Sequence, residues 1–330
     1  MKKFTSPDGV FEIDIPVAWD YRNEIVGLEN SPPFSFEPFR NSIGCFQVSH
    51  YKKEKNKYQG FRNKHEYFEN NLKFIKQMID ENDGFIILVW ATTVKDYFFM
   101  AKYVYQKTNV INDKLEKEIE KVENSIKSLI CIEPNSRILA THLYRYEKFV
   151  ASLGATFDLK VKAIENQSAI ELIIINANQI DAYLRLSIVL KYQILDNTKL
   201  FRIKYLFQDH NDKPINEKNI YREAQEMKII DIDLYNELFV LYNERNKIVH
   251  RYIITDIKTF TLYKIAFEYE KMSEKIRLIL RKIEAEQFTK KVGYHSIKNP
   301  HRNTDESHAI LLKSMINEKH FLDHFYRDLQ

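Results

Sequence analysis

Cysteine is almost missing from this chain: Cys45 and Cys131 are the only two in 330 residues. Small secreted folds stapled by disulfides use more, so two reduced thiols are the expectation. Neither has a His/Cys cluster beside it, which argues against a catalytic thiol. Glycine is also scarce, with seven residues and no Gly-rich phosphate loop, so P-loop ATPases and dinucleotide enzymes are excluded. No apolar run approaches the ~18 residues of a transmembrane helix. The opening Met1-Lys2-Lys3-Phe4-Thr5-Ser6-Pro7-Asp8-Gly9 has a signal peptide's charges without its apolar core. The expected compartment is the cytoplasm. No cofactor and no metal are expected, and no membrane partner.

Charge excess is missing too, since the net charge is only +4. It divides unevenly: residues 1–134 carry 19 Lys/Arg against 20 Asp/Glu, and residues 135–330 carry 31 against 26. Any affinity for a polyanion therefore resides in the second part. A hydrophobic content of 44% with 29% charged residues is that of a globular protein long enough for two domains.

Six of the eight prolines fall within residues 1–134. Phe11, Ile13 and Ile15 alternate with Glu12 and Asp14, a half-buried strand after the Pro7-Asp8-Gly9 turn. Gly44 to Lys53 and Phe85 to Thr93 read as further strands, and Asp96 turns the chain into Tyr97–Gln106 as a hairpin partner. Helical spacing of Phe61, Phe68, Leu72, Ile75 and Ile79 predicts a helix over 61–79, and Leu115, Ile119, Val122, Ile126 and Leu129 predict one over 113–130. Residues 1–134 thus read as an α+β domain, a small antiparallel sheet with two helices.

Pro134-Asn135 marks a border. Beyond it only Gly154, Gly293, Pro214 and Pro300 interrupt helical periodicity, and an all-α bundle is expected over 135–285. Helices are predicted at about 136–153, 163–195, 215–229, 232–250 and 257–285, the second being apolar on most sides and so central. Asp231 or Asp233 would cap the fourth of these and Asp256 the fifth. Residues 286–330 are polar, hold five of the ten histidines, and read as a mobile tail ending in a helix from about 306. His320 and His324, four apart with Asp323 between them, could share a metal, but no third ligand stands at a defined spacing. Lys290, Lys291, Lys298 and Arg302 either guide a nucleic-acid backbone or simply solvate the tail.

The stretch Glu244-Arg245-Asn246-Lys247-Ile248-Val249-His250-Arg251-Tyr252 stands out. The apolar stripe Leu234, Leu238, Leu241 reaches Arg245 before resuming at Ile248. A guanidinium on that stripe needs an anionic partner, because an unpaired buried charge is too costly. At about 100° per residue, His250 lies about 40° from Asn246 and about 140° from Arg245. Asn246 and His250 therefore share a face. Arg245 joins them through its long side chain, through fraying at the helix end, or through a second copy of the protein. On the preceding apolar helix, Asp181 and Arg185 lie four apart, either as an intrahelical ion pair or as a support of the site, as Glu244 could also be.

A helical bundle bearing Arg-Asn-x-x-x-His near the end of its fourth helix resembles the HEPN superfamily. The tyrosine two places on is similar to the branch found in toxins paired with nucleotidyltransferase antitoxins. The resemblance covers residues 136–285 and implies a metal-independent ribonuclease whose site forms where two protomers meet, acting in toxin–antitoxin, abortive-infection or phage-defence systems. It implies catalytic roles for Arg245, Asn246 and His250, and makes Tyr252 a site where a partner transferase attaches a nucleotide. The chemistry suits those residues: His250 to move protons, and Arg245 to hold the crowded phosphorane. The alternative is a non-catalytic dimerising module that couples a partner through its first domain.

Residues 1–134, from Phe11-Glu12-Ile13-Asp14-Ile15-Pro16 and Trp19 to Ser125-Ile126-Lys127-Ser128-Leu129, resemble the PsbP-like α/β sandwich. That likeness implies a fold and no activity. A sensor or docking role is the expectation for this part.

Overall fold

The computed structural model describes residues 1–23, 27–28, 30–53, 65–69, 72–80, 83–108, 113–208, 212–297, 299–300 and 305–329. An α+β part is followed by an all-α helical part, as the composition shift implies. Two compact units result, Met1–Tyr144 with Asp328–Gln330, and Arg145–Arg327. No helix among the described residues is long and apolar enough to cross a membrane.

In the first unit β1 (Lys2–Thr5), β2 (Phe11–Ile15), β3 (Trp19–Tyr21), β4 (Phe34–Pro38) and β5 (Gly44–Lys52) precede β6 (His65–Glu69) and β7 (Leu72–Asp80). Then come the hairpin β8 (Phe85–Val94) and β9 (Tyr97–Gln106), the helix α1 (Asp113–Lys127), and β10 (Ile130–Cys131). A three-stranded sheet has the order β1-β2-β10 and a seven-stranded sheet the order β3-β4-β5-β9-β8-β7-β6, antiparallel throughout. The expected turn closes β8 onto β9 through Lys95-Asp96.

The helix predicted over 61–79 gives way to strands. Where that span is described it is β6 and β7; residues 61–64, including Phe61, and 70–71 lie outside the described residues. β7 sits between β6 and β8, pairing Phe74 with Thr92 and Asp80 with Ile86. Pairing on both edges outweighs a helical spacing of four apolar residues, and Phe74, off that stripe, is the side chain it buries.

The core of this unit is aromatic. Phe4 meets Phe36 edge-on at 4.8 Å, Phe11 meets Phe99 at 5.8 Å, and α1 adds Leu115, Val122 and Ile126. Each such ring contributes about 1.5–3 kcal/mol by leaving water.

The second part comprises α2 (Arg137–Glu165), α3 (Ala169–Leu195), α4 (Glu217–Glu226), α5 (Ile232–Arg251), α6 (Thr259–Lys290) and α7 (Glu306–His320). The border between units falls within α2 rather than at Pro134-Asn135. Its first turns belong with the sheets: Arg137 donates to the Tyr97 hydroxyl at 3.0 Å, and Tyr144 packs on Phe4 at 5.6 Å. α3 is central, as its apolar character predicts, and packs on α4, α5 and α6.

Three further expectations are revised: the end of α2, the cap of α6 and the looseness of the tail. α2 runs straight through Gly154 instead of ending near 153, because that glycine serves close packing: a Cβ there would lie 2.7 Å from Ile316 Cδ1 on α7. Asp231 caps α5 by accepting from the Leu234 amide at 2.8 Å, whereas α6 starts after Lys258 and Asp256 caps nothing. Where it is described, the polar end of the chain is folded rather than loose. α7 starts at the predicted place and buries Met315 and Ile316. His320 and Arg327 both hold Asp158 of α2, with Arg327 gripping it through two nitrogens at 2.7 and 3.1 Å.

Candidate functional site

α5 is positioned by Leu234, Leu238 and Ile248, which are buried on the bundle side. Arg245 lies on the same stripe. Its Nη1 is 2.6 Å from Glu217 Oε2, and the side chains are only 19% and 13% exposed. Glu217 is thus the anion that a guanidinium on this stripe requires. Burial alone would lower the guanidinium's pKa, but the carboxylate of Glu217 outweighs it and holds the group above its ordinary value. Arg245 also lies over the Tyr242 ring at 4.9 Å.

Glu217 was not foreseen. It occupies the first turn of α4, where Asn216 caps the helix by accepting from the Asn219 amide at 3.0 Å. The Tyr221 hydroxyl, one turn on, donates to its other oxygen. The readable signal was a capping asparagine followed by a carboxylate and, four residues later, a tyrosine. Nothing in one sequence says that α4 lies beside α5.

Asn246 bridges the buried and exposed sides. Its Oδ1 accepts from Arg245 Nη2 at 3.0 Å, while the residue also lines an open concavity of about 760 Å³. His250 lines the same concavity and is exposed. The two therefore share a face, as the helical angle requires. Among the described residues, those lining that concavity, from Val240 to Arg251, all belong to α5. Arg245 is not among them. Because both residues lie inside α5, the angle of about 140° between Arg245 and His250 holds, and within one protomer the guanidinium turns inward while the imidazole turns outward.

The supporting residues divide. Glu244 pairs with Lys247 at 2.7 Å on the surface. Asp181 and Arg185 form an intrahelical pair at 2.6 Å, largely buried. Arg185 spends its other nitrogens on the carbonyls of Tyr205 (3.3 Å) and Ile215 (2.7 Å), fixing the chain two residues before Glu217. Burial pushes the Asp181 carboxyl above its ordinary pKa, opposed by Arg185 and then by Arg245. Its Oδ1 and the Oδ1 of Asn176 on the same helix are buried without hydrogen bonds. Tyr252, in the turn after α5, lies with its hydroxyl 3.3 Å from Thr259 Oγ1.

No group of three or more His, Cys, Asp or Glu side chains suited to a metal occurs among the described residues. His320 is committed to Asp158 at 3.0 Å and stacks on Phe325 at 4.3 Å. Lys290 pairs with Glu286, and Lys291 sits over the Phe288 ring. Lys298 and Arg302 lie outside the described residues. Burial pushes the Cys45 thiol up to about 12, far from a nucleophile's range.

No family model and no curated protein matches this chain. Two solved structures share part of its course. A crystal structure from Bacteroides thetaiotaomicron VPI-5482 is 14% identical, spans 55% of this chain and 76% of its own, and has a TM-score of 0.32. The solution structure of cyanobacterial PsbP from Synechocystis sp. PCC 6803 is 11% identical, spans 40% of this chain and 92% of its own, and has a TM-score of 0.29. At these TM-scores neither bears on function, and the chain is assigned to no family on their account.

Proposed function

We propose that the protein is a metal-independent endoribonuclease, a cytoplasmic toxin or phage-defence effector whose site forms between two copies of the chain. The observation that carries this reading is the concavity holding Asn246 and His250, whose wall among the described residues is α5 alone. A second copy applied there supplies the opposite wall and a second His250. In that cleft His250 moves the proton of the attacking 2′-hydroxyl or of the leaving oxygen. Asn246, whose Oδ1 accepts from Arg245, donates to the phosphate through its amide N–H groups, which that hydrogen bond polarises. Tyr252, in the turn after α5, is the acceptor for a nucleotide from an antitoxin of the nucleotidyltransferase type.

A growth assay tests it. Expression of the wild-type chain arrests growth, and His250→Ala, at an exposed position that holds no fold contact in place, relieves it. Equal arrest by both forms would remove His250 from the mechanism.

One observation favours a second reading, a non-catalytic dimerising module. Arg245 is already neutralised by Glu217 inside the bundle, as a purely structural arginine would be. Under that reading Val249→Asp, on the exposed side of α5, abolishes the phenotype, whereas His250→Ala leaves it intact.

A further inference from the structure

The polar end of the chain, set aside as a tail by its composition, builds a cavity. Gln193 and Gln287 are almost wholly buried and hold its turn in place. Gln287 Nε2 donates to the Leu190 carbonyl and to Gln193 Oε1, both at 2.9 Å. Their oxygens accept the Tyr294 and His295 amides at 3.1 and 3.0 Å. Gly293 permits this with a φ of +80°, and a Cβ there would collide with Gln287. The turn so fixed closes one side of a space of about 250 Å³, whose other walls are α2, α3, α6 and α7.

The interior of this space is aromatic and aliphatic. Tyr146, itself buried, lies 4.5 Å from Tyr294, and Leu153, Leu186 and Leu280 complete the floor. The rim carries both signs, with Glu147 of α2 and Glu284 of α6 beside the basic side chains. Arg277 and Arg281 stand one turn apart on the same face of α6, with His308 opposite on α7. Each arginine already has partners: Glu274 takes Arg277 through two nitrogens, both at 2.7 Å, and Arg281 donates to Glu284 at 3.2 Å and to the Pro300 carbonyl at 2.9 Å. Arg277, Arg281 and Glu274 are each more than a third exposed, where ion pairs contribute little, so an incoming carboxylate competes with Glu274 for Arg277 while lying beside Arg281. Glu284 lies deeper, only 13% exposed, with His295 Nε2 at 3.9 Å. The volume admits one ring with its substituents and is too small for a drug-sized ligand.

We propose that this cavity binds a small aromatic monocarboxylate, with its ring against Tyr146, Tyr294 and the leucine floor and its carboxylate between Arg277 and Arg281. The site is separate from α5 and stands whether or not the protein cleaves RNA.

The test uses the full chain and 4-hydroxybenzoate, with saturation-transfer NMR to read ring contact and calorimetry to read affinity. Saturation of the ring protons, with affinity falling about tenfold or more in Arg277→Gln/Arg281→Gln, is the expected result. Both substitutions are at the rim, and an unchanged melting temperature verifies the fold. A second variant, Leu153→Phe, fills the floor and is expected to abolish ring saturation while leaving the arginines in place. Absence of ring saturation at millimolar ligand overturns the proposal. So does affinity unchanged by the double substitution, or equal binding of inorganic phosphate, which would reduce the site to a surface anion contact.

Discussion

Arg245 Nη1 lies 2.6 Å from Glu217 Oε2, so the most conspicuous residue of the motif is held by a carboxylate from a neighbouring helix. This pair ties α4 to α5 and holds the guanidinium whose Nη2 donates to Asn246 at 3.0 Å. Glu217→Gln leaves the guanidinium without its counter-charge. A loss of about 2 kcal/mol in folding stability is expected, measured by urea unfolding. A loss below a few tenths would show that the pair is ornamental.

Asp8 closes the first turn of the chain. Its carboxylate accepts from Ser6 Oγ at 2.8 Å and from the Val10 amide at 3.1 Å, and lies 3.0 Å from His50 Nε2. Burial alone would raise its pKa, but His50 and these hydrogen bonds bring it down to about 2 from 3.8. A depressed carboxylate stabilises the fold above its unfolded value and ceases to do so as pH falls through the folded one. The acid limb of a stability profile is therefore expected to drop between pH 3.8 and about 2, and Asp8→Asn to flatten that drop. Identical acid limbs for the two proteins would contradict the assignment.

Gly154 lets α7 approach α2, with Ile316 Cδ1 at 2.7 Å from where a Cβ would stand. Gly154→Ala is expected to destabilise despite alanine's better helix propensity, and Ile316→Val to recover part of the loss by shortening the opposing side chain. A double-mutant cycle in thermal unfolding reads the coupling. Simple additivity of the two changes would show that they do not meet.

Asp158 is the fixed point of the chain's end, held by His320 and by the fork of Arg327. Asp158→Asn is expected to speed amide exchange along α7 while leaving α3 unchanged. Uniform acceleration throughout the helices would instead indicate global destabilisation.

Much of the architecture is legible from periodicity alone. The hairpin around Lys95-Asp96, the long helix closing on α3, and the cap at Asp231 follow from local pattern. The strands at 65–80 do not, because their apolar residues fit a helix as well as a strand and only sheet partners decide. Gly154 was misleading for a similar reason: glycine marks a break or a close approach, and the choice lies with a helix some 160 residues away in sequence. Within the site, the angle between Arg245 and His250 was readable from numbering. Glu217 was not, since its partnership depends on how α4 docks.

The most direct measurement is RNA cleavage by the purified chain in EDTA, with wild type and His250→Ala compared on structurally varied RNAs. Cleavage that persists in the chelator and disappears with the imidazole is the expected result. An RNA cut equally by both proteins, or cut by neither under conditions where the chain is dimeric, would contradict a nuclease centred on α5.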